Sequence, residues 1–314
     1  MISRRHLRIK VLQNLYAYFL SENTSIANGE KELNFSIDKL YDLYLHQLAL
    51  PEELVFVANR IIEENKAKRL PTQSDLIPNK KFVDNQLIKK LVSSQTLREK
   101  LNKSKISWDS EFDLIKNLFN SLRETEEYKN YMLTEVSSFK EDKEFVVELF
   151  KKYLEENENL SSYYEEKSIY WLDDFELVNS MVLRTIKQIE EDDSNVQLMD
   201  VFNDAEDDKK FMIDLFKKTV INNTEYENLV QKYTTNWDVE RIALMDILIM
   251  KMAICEVLNF NSIPLKVTLN EYIDISKRYS TPKSRIFVNG ILDKIFIDLK
   301  RDGKIVKIGR GLME

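Results

Sequence analysis

The chain has 314 residues, 43% of them hydrophobic, and contains only five glycines, five prolines and one cysteine. This length is sufficient for a large core or for two domains, and the scarcity of Gly and Pro favours an all-helical protein. The single cysteine, Cys255, excludes a disulfide framework and a cysteine-based zinc site. Taken alone, the formal net charge of −7 argues against nucleic-acid binding, although charge acts locally in clefts and patches.

Residues 1–21 predict an amphipathic helix with a basic start. Its apolar side chains recur every four residues, at Leu7, Val11, Leu15 and Phe19. This period indicates one face packed on a core, with Ser3 as the N-cap. Its first two turns carry Arg4, Arg5 and Arg8. On a helical wheel Arg4 and Arg8 fall close to the direction of Leu15, so we expect these turns to project past the core with free arginines. Positive charge there opposes the helix dipole, and the arginines form either a solvated helix end or a phosphate-binding arm.

The middle of the chain predicts a series of further helices. They are expected at residues 38–50, 52–66, 82–102, 110–129, 141–154 and 169–190. Pro51 is predicted to separate the first two, and residues 69–80, which include two prolines, are predicted as a loop. We interpret the aromatic side chains as core residues rather than as a stacking platform for bases: Tyr163, Tyr164, Tyr170 and Trp171.

An acidic stretch runs from Glu190 to Asp208. It lacks the glycine and the ligand spacing of a calcium-binding loop. We therefore expect a solvated linker that rejoins the core, with shielding of the basic start of the first helix as an alternative. After it, Phe211, Leu215 and Val220 predict helices that pack on that core.

Residues 244–258 predict a helix that is buried on every side. The segment LMDILIMKMAICEVL carries only three charged residues, Asp246, Lys251 and Glu256, and these point in three different directions on a helix. A helix without a polar face is surrounded by protein, and this one is too short and too charged to span a bilayer. The other helices of the bundle are therefore expected to pack around it.

Two helices follow, each preceded by a hydroxyl residue and a proline. Ser262 with Pro264, and then Ser280-Thr281-Pro282, are predicted to start them. The first is expected to bury Leu265, Leu269, Tyr272, Ile273 and Ser276. The second is expected to bury Phe287, Val288, Ile291, Leu292, Ile295 and Leu299. Gly290 inside a helix costs about 1 kcal/mol relative to Ala, so we expect a close helix contact or backbone approach there.

The sequence contains no recognisable catalytic arrangement. Its two histidines, His6 and His46, lie far apart, and there is no Ser/His/Asp order, glycine-rich phosphate loop or paired Cys or His ligands. We therefore predict no enzymatic activity, no cofactor and no metal site. Met1 leads directly into basic residues without an apolar signal segment, so we predict a cytoplasmic protein that does not enter a membrane.

Several motifs resemble a known family. Near the C-terminus stand Pro264-x-Lys266-Val267-x-x-Asn270-Glu271 and Phe287-Val288-Asn289-Gly290-x-Leu292-Asp293-Lys294. The first helix carries Arg4-Arg5-x-x-Arg8 followed by Leu12-Gln13-x-Leu15-Tyr16. Shorter likenesses are Asn236-Trp237-Asp238 and Asp246-Ile247-Leu248-Ile249. Together they resemble NusB, a family of bacterial transcription antitermination factors.

The resemblance implies an all-α, NusB-like helical bundle with a large helical insertion. The predicted ranges are 1–21 for the first helix with its basic arm, 22–205 for the insertion, 206–301 for the remainder of the bundle and 302–314 for a basic tail. The middle of the chain has no counterpart in the family pattern, which is expected to resume near Asp207.

The resemblance also implies a function. NusB proteins bind boxA-type single-stranded RNA of ribosomal RNA transcripts as a heterodimer with NusE, a small-subunit ribosomal protein, within an RNA polymerase antitermination complex. On this likeness, the expected RNA-binding residues are Arg4, Arg5, Arg8, Tyr16, Lys283, Arg285 and Phe287. Asp246 matches an acidic position that the family uses against NusE. The alternatives are core packing for Tyr16 and Phe287, and a favourable place near a helix start for Asp246.

Two other functions compete with this one. The first is a helical protein-interaction module that keeps the bundle but does not bind RNA, with the insertion as its working surface. The second is enzymatic, since a NusB-like domain also precedes certain ribosomal RNA cytosine methyltransferases. It is disfavoured because no cofactor-binding α/β pattern follows in this sequence.

At Ile286 the family commonly has Lys, which leaves the base preference open.

Overall fold

The structure, a computed structural model, describes residues 1–21, 25–234, 242–281 and 283–312. These ranges contain fifteen α-helices and no strand, which confirms the predicted all-α class. The helices are α1 Arg4–Leu20, α2 Ile26–Lys66, α3 Gln73–Leu76, α4 Gln86–Ser93, α5 Gln95–Ser104, α6 Phe112–Glu124, α7 Glu126–Tyr131, α8 Phe139–Glu148, α9 Glu158–Lys167, α10 Phe175–Gln188, α11 Ala205–Ile221, α12 Asn223–Tyr233, α13 Leu244–Asn259, α14 Leu265–Tyr279 and α15 Ser284–Arg301. Within the same ranges, every helix is too short or too polar to cross a membrane.

The chain divides into two compact units. The first, which we call the terminal unit, consists of Ile2–Ile37 and Val201–Glu314 and contains α1, the start of α2 and α11 to α15. The second, which we call the middle unit, consists of Asp38–Asp200 with Met1. That residues 22–205 are a helical insertion into the NusB-like bundle stays a prediction.

The helix predicted to lie at the centre of the bundle does so. In the terminal unit α13 contacts α1, α11, α12, α14 and α15. Its side chains are buried from Leu248 to Val257 without interruption. Burial of a Leu, Ile or Met side chain stabilises a fold by about 1.5–3 kcal/mol, so this apolar helix supplies much of the force that holds the unit together.

The three charged residues of α13 are also buried, and each has a polar partner. Asp246 accepts a hydrogen bond of 2.7 Å from Ser284 Oγ. Lys251 Nζ donates to Asn223 Oδ1 at 2.8 Å and to Glu227 Oε2 at 3.0 Å on α12. Glu256 is paired with Arg8 of α1. Buried charges persist only when they are paired, so these residues tie α13 to three of its neighbours.

The middle unit differs from the predicted helices where polar residues act as caps. The predicted helix at 82–102 ends at Ser94, whose hydroxyl accepts from Leu97 N and starts α5. Thr125 similarly starts α7 inside the predicted helix at 110–129. The predicted break at Pro51 is wrong, because α2 continues through it. Its buried face runs past Pro51 through Leu48 and Leu54, so packing outweighs the hydrogen bond that proline removes.

An aromatic cluster forms part of the core of the middle unit. The His46 ring lies 3.8 Å from the Trp108 ring, between centroids, and 5.7 Å from Tyr164. Tyr164 and Trp171 are buried while Tyr163 and Tyr170 are partly exposed. The interpretation of these aromatic residues as core rather than as a stacking platform agrees with this packing.

The acidic stretch rejoins the terminal unit through a local cap. Asp208 is buried, and its Oδ2 accepts from Asn203 N at 3.1 Å and from Asp204 N at 3.2 Å. Asp204 in turn caps the first turn of α11. Negative charge at a helix start is favourable. The end of this stretch is therefore a helix start rather than only a solvated linker.

The start and the buried face of α14 differ from their predictions. Ser262 is exposed and does not cap α14, which begins at Leu265 after Pro264 and has no side-chain cap. Tyr272 and Ser276 are buried as predicted, together with Thr268 and Ile275. Leu265, Leu269 and Ile273 are only partly buried.

In α15 the apolar stripe is buried as predicted except for the partly exposed Phe287. The prediction for Gly290 is wrong, because an added Cβ would meet nothing within 4 Å. Pro282 and the segment 236–238 lie outside the described residues.

Candidate nucleic-acid interface

The start of α1 is fixed to the terminal unit. Ser3 is the N-cap, and its hydroxyl accepts from His6 N. Before it, Ile2 is buried and its N–H donates to Val201 O at 2.7 Å. Buried Leu7 and Val11 pack this helix against α11 and α13. The first turns of α1 therefore lie on the bundle rather than beyond it.

Arg8 is the most buried of the three arginines. Its Nε donates to Glu256 Oε2 at 2.7 Å and its Nη2 to Oε1 at 2.8 Å, a bidentate pair. Thr268 and Tyr272 hydroxyls donate to the same carboxylate at 2.7 and 3.1 Å. Burial alone lowers the pKa of Arg8, but the hydrogen bonds and charge of Glu256 outweigh it and raise this pKa. Arg8 thus remains charged within a fully bonded network.

Arg5 lies at the surface between α1 and α14. Its Nε and Nη2 donate to the two carboxylate oxygens of Glu271 at 2.8 and 2.9 Å, and Nη2 also donates to Asp274 at 3.1 Å. The hydrogen bond from Lys277, with the charges of Lys277, Arg5 and Arg285, lowers the pKa of Asp274. The Arg5 side chain keeps 46% exposure, so it is accessible to a ligand while paired.

Arg4 is paired on the opposite side, with α11. It forms an ion pair with Asp207, and its Nε lies 3.6 Å from Asp208 Oδ1. Its guanidinium also stacks over the Phe211 ring, 4.9 Å from the centroid, a favourable cation–π arrangement. Its side chain is one-third exposed.

The expectation of projecting, free arginines is therefore wrong. The chain supplies a carboxylate to each of Arg4, Arg5 and Arg8, and those carboxylates come from α11, α13 and α14. Arg8 is only 3% exposed, which removes it from direct contact with a ligand in this conformation. The physical reason is that a positive helix start, unfavourable on its own, is neutralised by acidic residues distant in sequence.

Two open grooves border these arginines. The α14–α15 groove, about 810 Å³, is lined by Arg5, Val267, Asn270, Glu271, Ile273, Asp274, Lys277, Arg285, Ile286 and Asn289. The α1–α14 groove, about 700 Å³, is lined by Ser3, Arg4, Arg5, His6, Arg8, Ser262, Ile263, Pro264, Val267, Glu271 and Arg310. Arg5, Val267 and Glu271 line both. The grooves are therefore contiguous, and cations occur along their joint length.

The predicted residues of α15 lie on or beside the α14–α15 groove. Arg285 is exposed and lines it, together with Ile286 and Asn289. Lys283 is exposed, but it is not among the lining residues of that groove. Phe287 is partly exposed.

Tyr16 is separated from the arginines along α1. Its ring is 38% exposed, which disfavours the alternative of core packing. It lies eleven positions after Arg5, and a helix rises about 1.5 Å per residue. Tyr16 therefore lies about 16 Å along the helix axis from Arg5, outside both grooves.

Asp246 is buried, with 5% of its surface exposed. It lies in the first turn of α13, and its Oδ2 accepts from Ser284 Oγ, while Oδ1 has no hydrogen-bond partner among the described residues. This position agrees with its alternative role near a helix start. Its burial argues against the predicted direct contact with a partner in this conformation.

Sequence reasoning did not identify the acidic residues of the interface. Glu271 belongs to the motif around Pro264, and Glu256 is one of the three charges on the apolar segment 244–258. The signal was present, because a charge within an apolar helix requires a partner of opposite sign. Within the described ranges, no three His, Cys, Asp or Glu side chains are grouped as a metal site requires.

Comparison with known proteins identifies the C-terminal part of the chain. Residues 175–296 match the NusB family. This range begins earlier than Asp207, where we expected the likeness to resume, and it does not include the first helix.

Similar curated proteins carry the name transcription antitermination protein NusB. That of Salinibacter ruber is 42% identical over 105 residues, which cover 33% of this chain and 66% of that protein. That of Chloroherpeton thalassium is 40% identical over 106 residues, which cover 34% and 50%. The chain thus spans between half and two thirds of the length of these relatives. A solved chain of T. maritima NusB is 26% identical, and the alignment covers 43% of this chain and 83% of that chain with a TM-score of 0.27.

Proposed function

The C-terminal part of this chain belongs to the NusB family over residues 175–296, and on that premise we propose that the protein is a transcription antitermination factor. It binds boxA-type single-stranded RNA of ribosomal RNA transcripts, together with NusE, within an RNA polymerase antitermination complex. It acts in the cytoplasm by binding and catalyses no reaction. The residues between the first helix and residue 175, where the family range begins, are an insertion into the bundle that performs this function.

One observation carries the proposal. The α14–α15 groove joins Arg5 of the N-terminal motif to Arg285 and Asn289 of the C-terminal motif, although these motifs lie at opposite ends of the chain. Recognition of single-stranded RNA requires cations for the phosphates and polar or aromatic groups for the bases. Arginine binds phosphate through a planar, bidentate fork. Arg4, Arg5, Lys283 and Arg285 supply such charges, while Phe287 and Tyr16 are candidates for base contacts.

Arg8 has a different role in this proposal. Because it is buried against Glu256, it holds the start of α1 in place rather than touching RNA. Phosphate contacts position a nucleic acid strand, whereas base contacts specify its sequence. Arg5 and Arg285 are thus expected to act on all RNA sequences, and the two rings on the preference for boxA.

One observation favours the alternative of a protein-interaction module without RNA binding. Every arginine of the predicted arm is paired with an acid of the same chain, as in a surface that serves only the fold. The sequence match does not extend to the first helix, which leaves the arm without support from the family range.

An RNA titration of the full chain separates the two functions. Binding to boxA-type RNA and to a scrambled RNA is measured by fluorescence anisotropy at several salt concentrations, with and without NusE. Each phosphate contact contributes about −0.7 to the salt slope of single-stranded binding. Arg5→Ala with Arg285→Ala should therefore flatten the slope by about 1.4. The matched control is Arg301→Ala, which removes an arginine that pairs with Asp298 outside both grooves.

The expected result is that boxA RNA binds more tightly than the scrambled RNA, and still more tightly with NusE present. The double variant should lose affinity for both RNAs, while Arg301→Ala keeps the parent's affinity and slope. Absence of RNA binding by the parent chain, with or without NusE, would instead support the interaction module.

A further inference from the structure

The C-terminal tail after α15 folds back onto the end of α13. Ile308 N donates to Asn261 O at 3.0 Å. Lys307 Nζ donates to Val257 O at 3.1 Å and to Phe260 O at 3.2 Å, near the last carbonyls of α13. A cation at a helix C-terminus is favoured by the exposed carbonyls and the helix dipole. These bonds fix the tail at the junction between α13 and α14.

Two glycines allow the tail to adopt this position. Gly309 has φ of +52°, a left-handed conformation in which side chains are strained. Gly311 is buried, and a Cβ added there would lie 2.0 Å from Asn261 O. The backbone at Gly311 therefore approaches Asn261 more closely than any other residue would permit. Between these two glycines stands Arg310.

The position of the tail places Arg310 at the α1–α14 groove. Arg310 is exposed and lines this groove with Ser3, Arg4 and His6. The three arginines of α1 in the same groove each pair with a carboxylate. Arg310, in contrast, has no hydrogen bond or ion pair with any residue that the structure describes. It is thus an arginine whose charge is left available in a cleft that already holds three others.

We propose that Arg310 binds a backbone phosphate of single-stranded RNA in the α1–α14 groove, which makes the C-terminal tail part of the RNA-binding surface. The proposal rests on the proposed function and extends its site beyond residues 175–296, the range that matches the family. A guanidinium without a partner among the described residues offers its full fork to phosphate oxygens. The uncapped start of α14 borders the same groove and adds to its positive potential.

The lining of the groove favours the backbone over the bases as the contact. Among its described lining residues there is no Phe, Tyr or Trp on which a base would stack. Its polar groups are hydroxyls, the His6 ring, arginines and the Glu271 carboxylate, which pairs with Arg5. Contacts of this kind carry no sequence information. Arg310 should therefore contribute equally to boxA and scrambled RNA.

The test uses the full chain and the same two RNA oligonucleotides. Arg310→Ala should weaken binding of both on the order of fivefold and flatten the salt slope by about 0.7. The matched control is Lys304→Ala, which removes an exposed cation of the same tail that does not line the groove; it should bind as the parent does. Arg310→Lys should restore most of the slope. The melting temperature of Arg310→Ala should equal that of the parent, since its side chain has no described partner.

A second variant tests whether the position of the tail is needed for RNA binding. Gly311→Ala keeps Arg310 but cannot keep the tail against Asn261, so it should lose RNA affinity as Arg310→Ala does. The inference is overturned if Arg310→Ala binds with the parent's affinity and slope, or if Lys304→Ala loses as much. If the parent chain does not bind RNA, the proposed function and this inference both fail. If the parent binds RNA and Arg310→Ala binds it equally well, only this inference fails and the proposed function stands.

Discussion

Arg8 and Glu256 join the first helix of the chain to its most buried helix through two hydrogen bonds of 2.7 and 2.8 Å. Their side chains are 3% and 0% exposed. The Glu256 carboxylate also accepts from Thr268 and Tyr272 of α14. Three helices thus meet at one carboxylate, and an arginine that resembles part of an RNA-binding motif serves the fold.

Removing Arg8 should destabilise the protein strongly. Arg8→Ala leaves Glu256 buried without its counter-charge, and breaking a buried pair typically costs about 3–5 kcal/mol. Arg8→Met with Glu256→Leu should recover much of this loss, because replacing both charges by apolar groups leaves neither one unpaired. Urea unfolding followed by circular dichroism measures both variants. The exposed pair provides the control, since Arg5→Ala should cost less than about 1 kcal/mol. A small loss for Arg8→Ala would mean that this pair is not a structural link.

Two glycines should respond in opposite directions to the same substitution. Gly290 lies in α15 with nothing within 4 Å of an added Cβ, so Gly290→Ala should stabilise the protein by about 0.5–1 kcal/mol. Gly311→Ala should destabilise it, because its Cβ would collide with Asn261 O. Thermal unfolding of both variants tests this pair. If Gly290→Ala gains stability but loses binding to RNA or NusE, a partner approaches the α15 backbone at Gly290.

The apolar patterns of the sequence predict the fold. The partners of the polar residues cannot be predicted from these patterns. The absence of a polar face on residues 244–258 was sufficient to predict the central helix. It could not reveal that Glu256 pairs with Arg8, because these residues lie 248 positions apart and only the fold brings them together. Local signals also failed where packing outweighed them. At Pro51 the helix continues despite a lost hydrogen bond.

The candidate site could be predicted only in part, because only the fold brings its residues together. Motif residues Arg5 and Arg285 do meet in one groove. Arg310 carried no local signal, since its position depends on the contact of Gly311 with Asn261. The acids that pair with the arginines belong to helices distant in sequence, and net charge does not reveal such pairs.

Charge reversal at Asp246 should damage the fold. Asp246 is 5% exposed and accepts from Ser284 Oγ, so Asp246→Lys would bury a positive charge at a helix start. We expect a loss of at least about 3 kcal/mol. Asp246→Asn keeps the acceptor and should cost about 1 kcal/mol. Calorimetric titration with NusE is informative only for the Asn variant. If Asp246→Lys unfolds at the same urea concentration as the parent, Asp246 is more accessible than its burial indicates.

The middle unit should lose stability in mild acid through His46. Burial, followed by the charge of Lys167, lowers the pKa of His46 to about 3. In the unfolded chain this pKa is about 6.5, so between these values the unfolded state binds more protons. The contribution of neutral His46 to the free energy of unfolding is therefore complete above about pH 6.5. It falls as the pH decreases, by about 1.4 kcal/mol per pH unit. The free energy of unfolding, measured in urea at pH 7 and at pH 5 and followed by tryptophan fluorescence, should differ by about 2 kcal/mol because of this group.

Two substitutions separate His46 from other acid-sensitive groups. His46→Phe keeps an aromatic ring against Trp108 and should remove about 2 kcal/mol of the difference between the two pH values. Tyr163→Phe removes only the hydroxyl that lies 3.5 Å from His46 Nε2 and should keep the difference. An unchanged pH dependence in His46→Phe would assign the acid sensitivity to the carboxylates instead.

Neutralising Glu271 should strengthen RNA binding. Glu271 holds Arg5 through two hydrogen bonds of 2.8 and 2.9 Å and lines both grooves. Its negative charge opposes an incoming phosphate, and it competes for the guanidinium that the phosphate would bind. Glu271→Gln keeps an acceptor for Arg5 but removes the charge, so affinity for RNA at low salt should rise by about two- to fivefold. The control is Asp298→Asn, which neutralises an acid paired with Arg301 outside the grooves and should leave the affinity unchanged. A decrease in affinity with Glu271→Gln would show that this carboxylate positions Arg5 for the phosphate rather than competing with it.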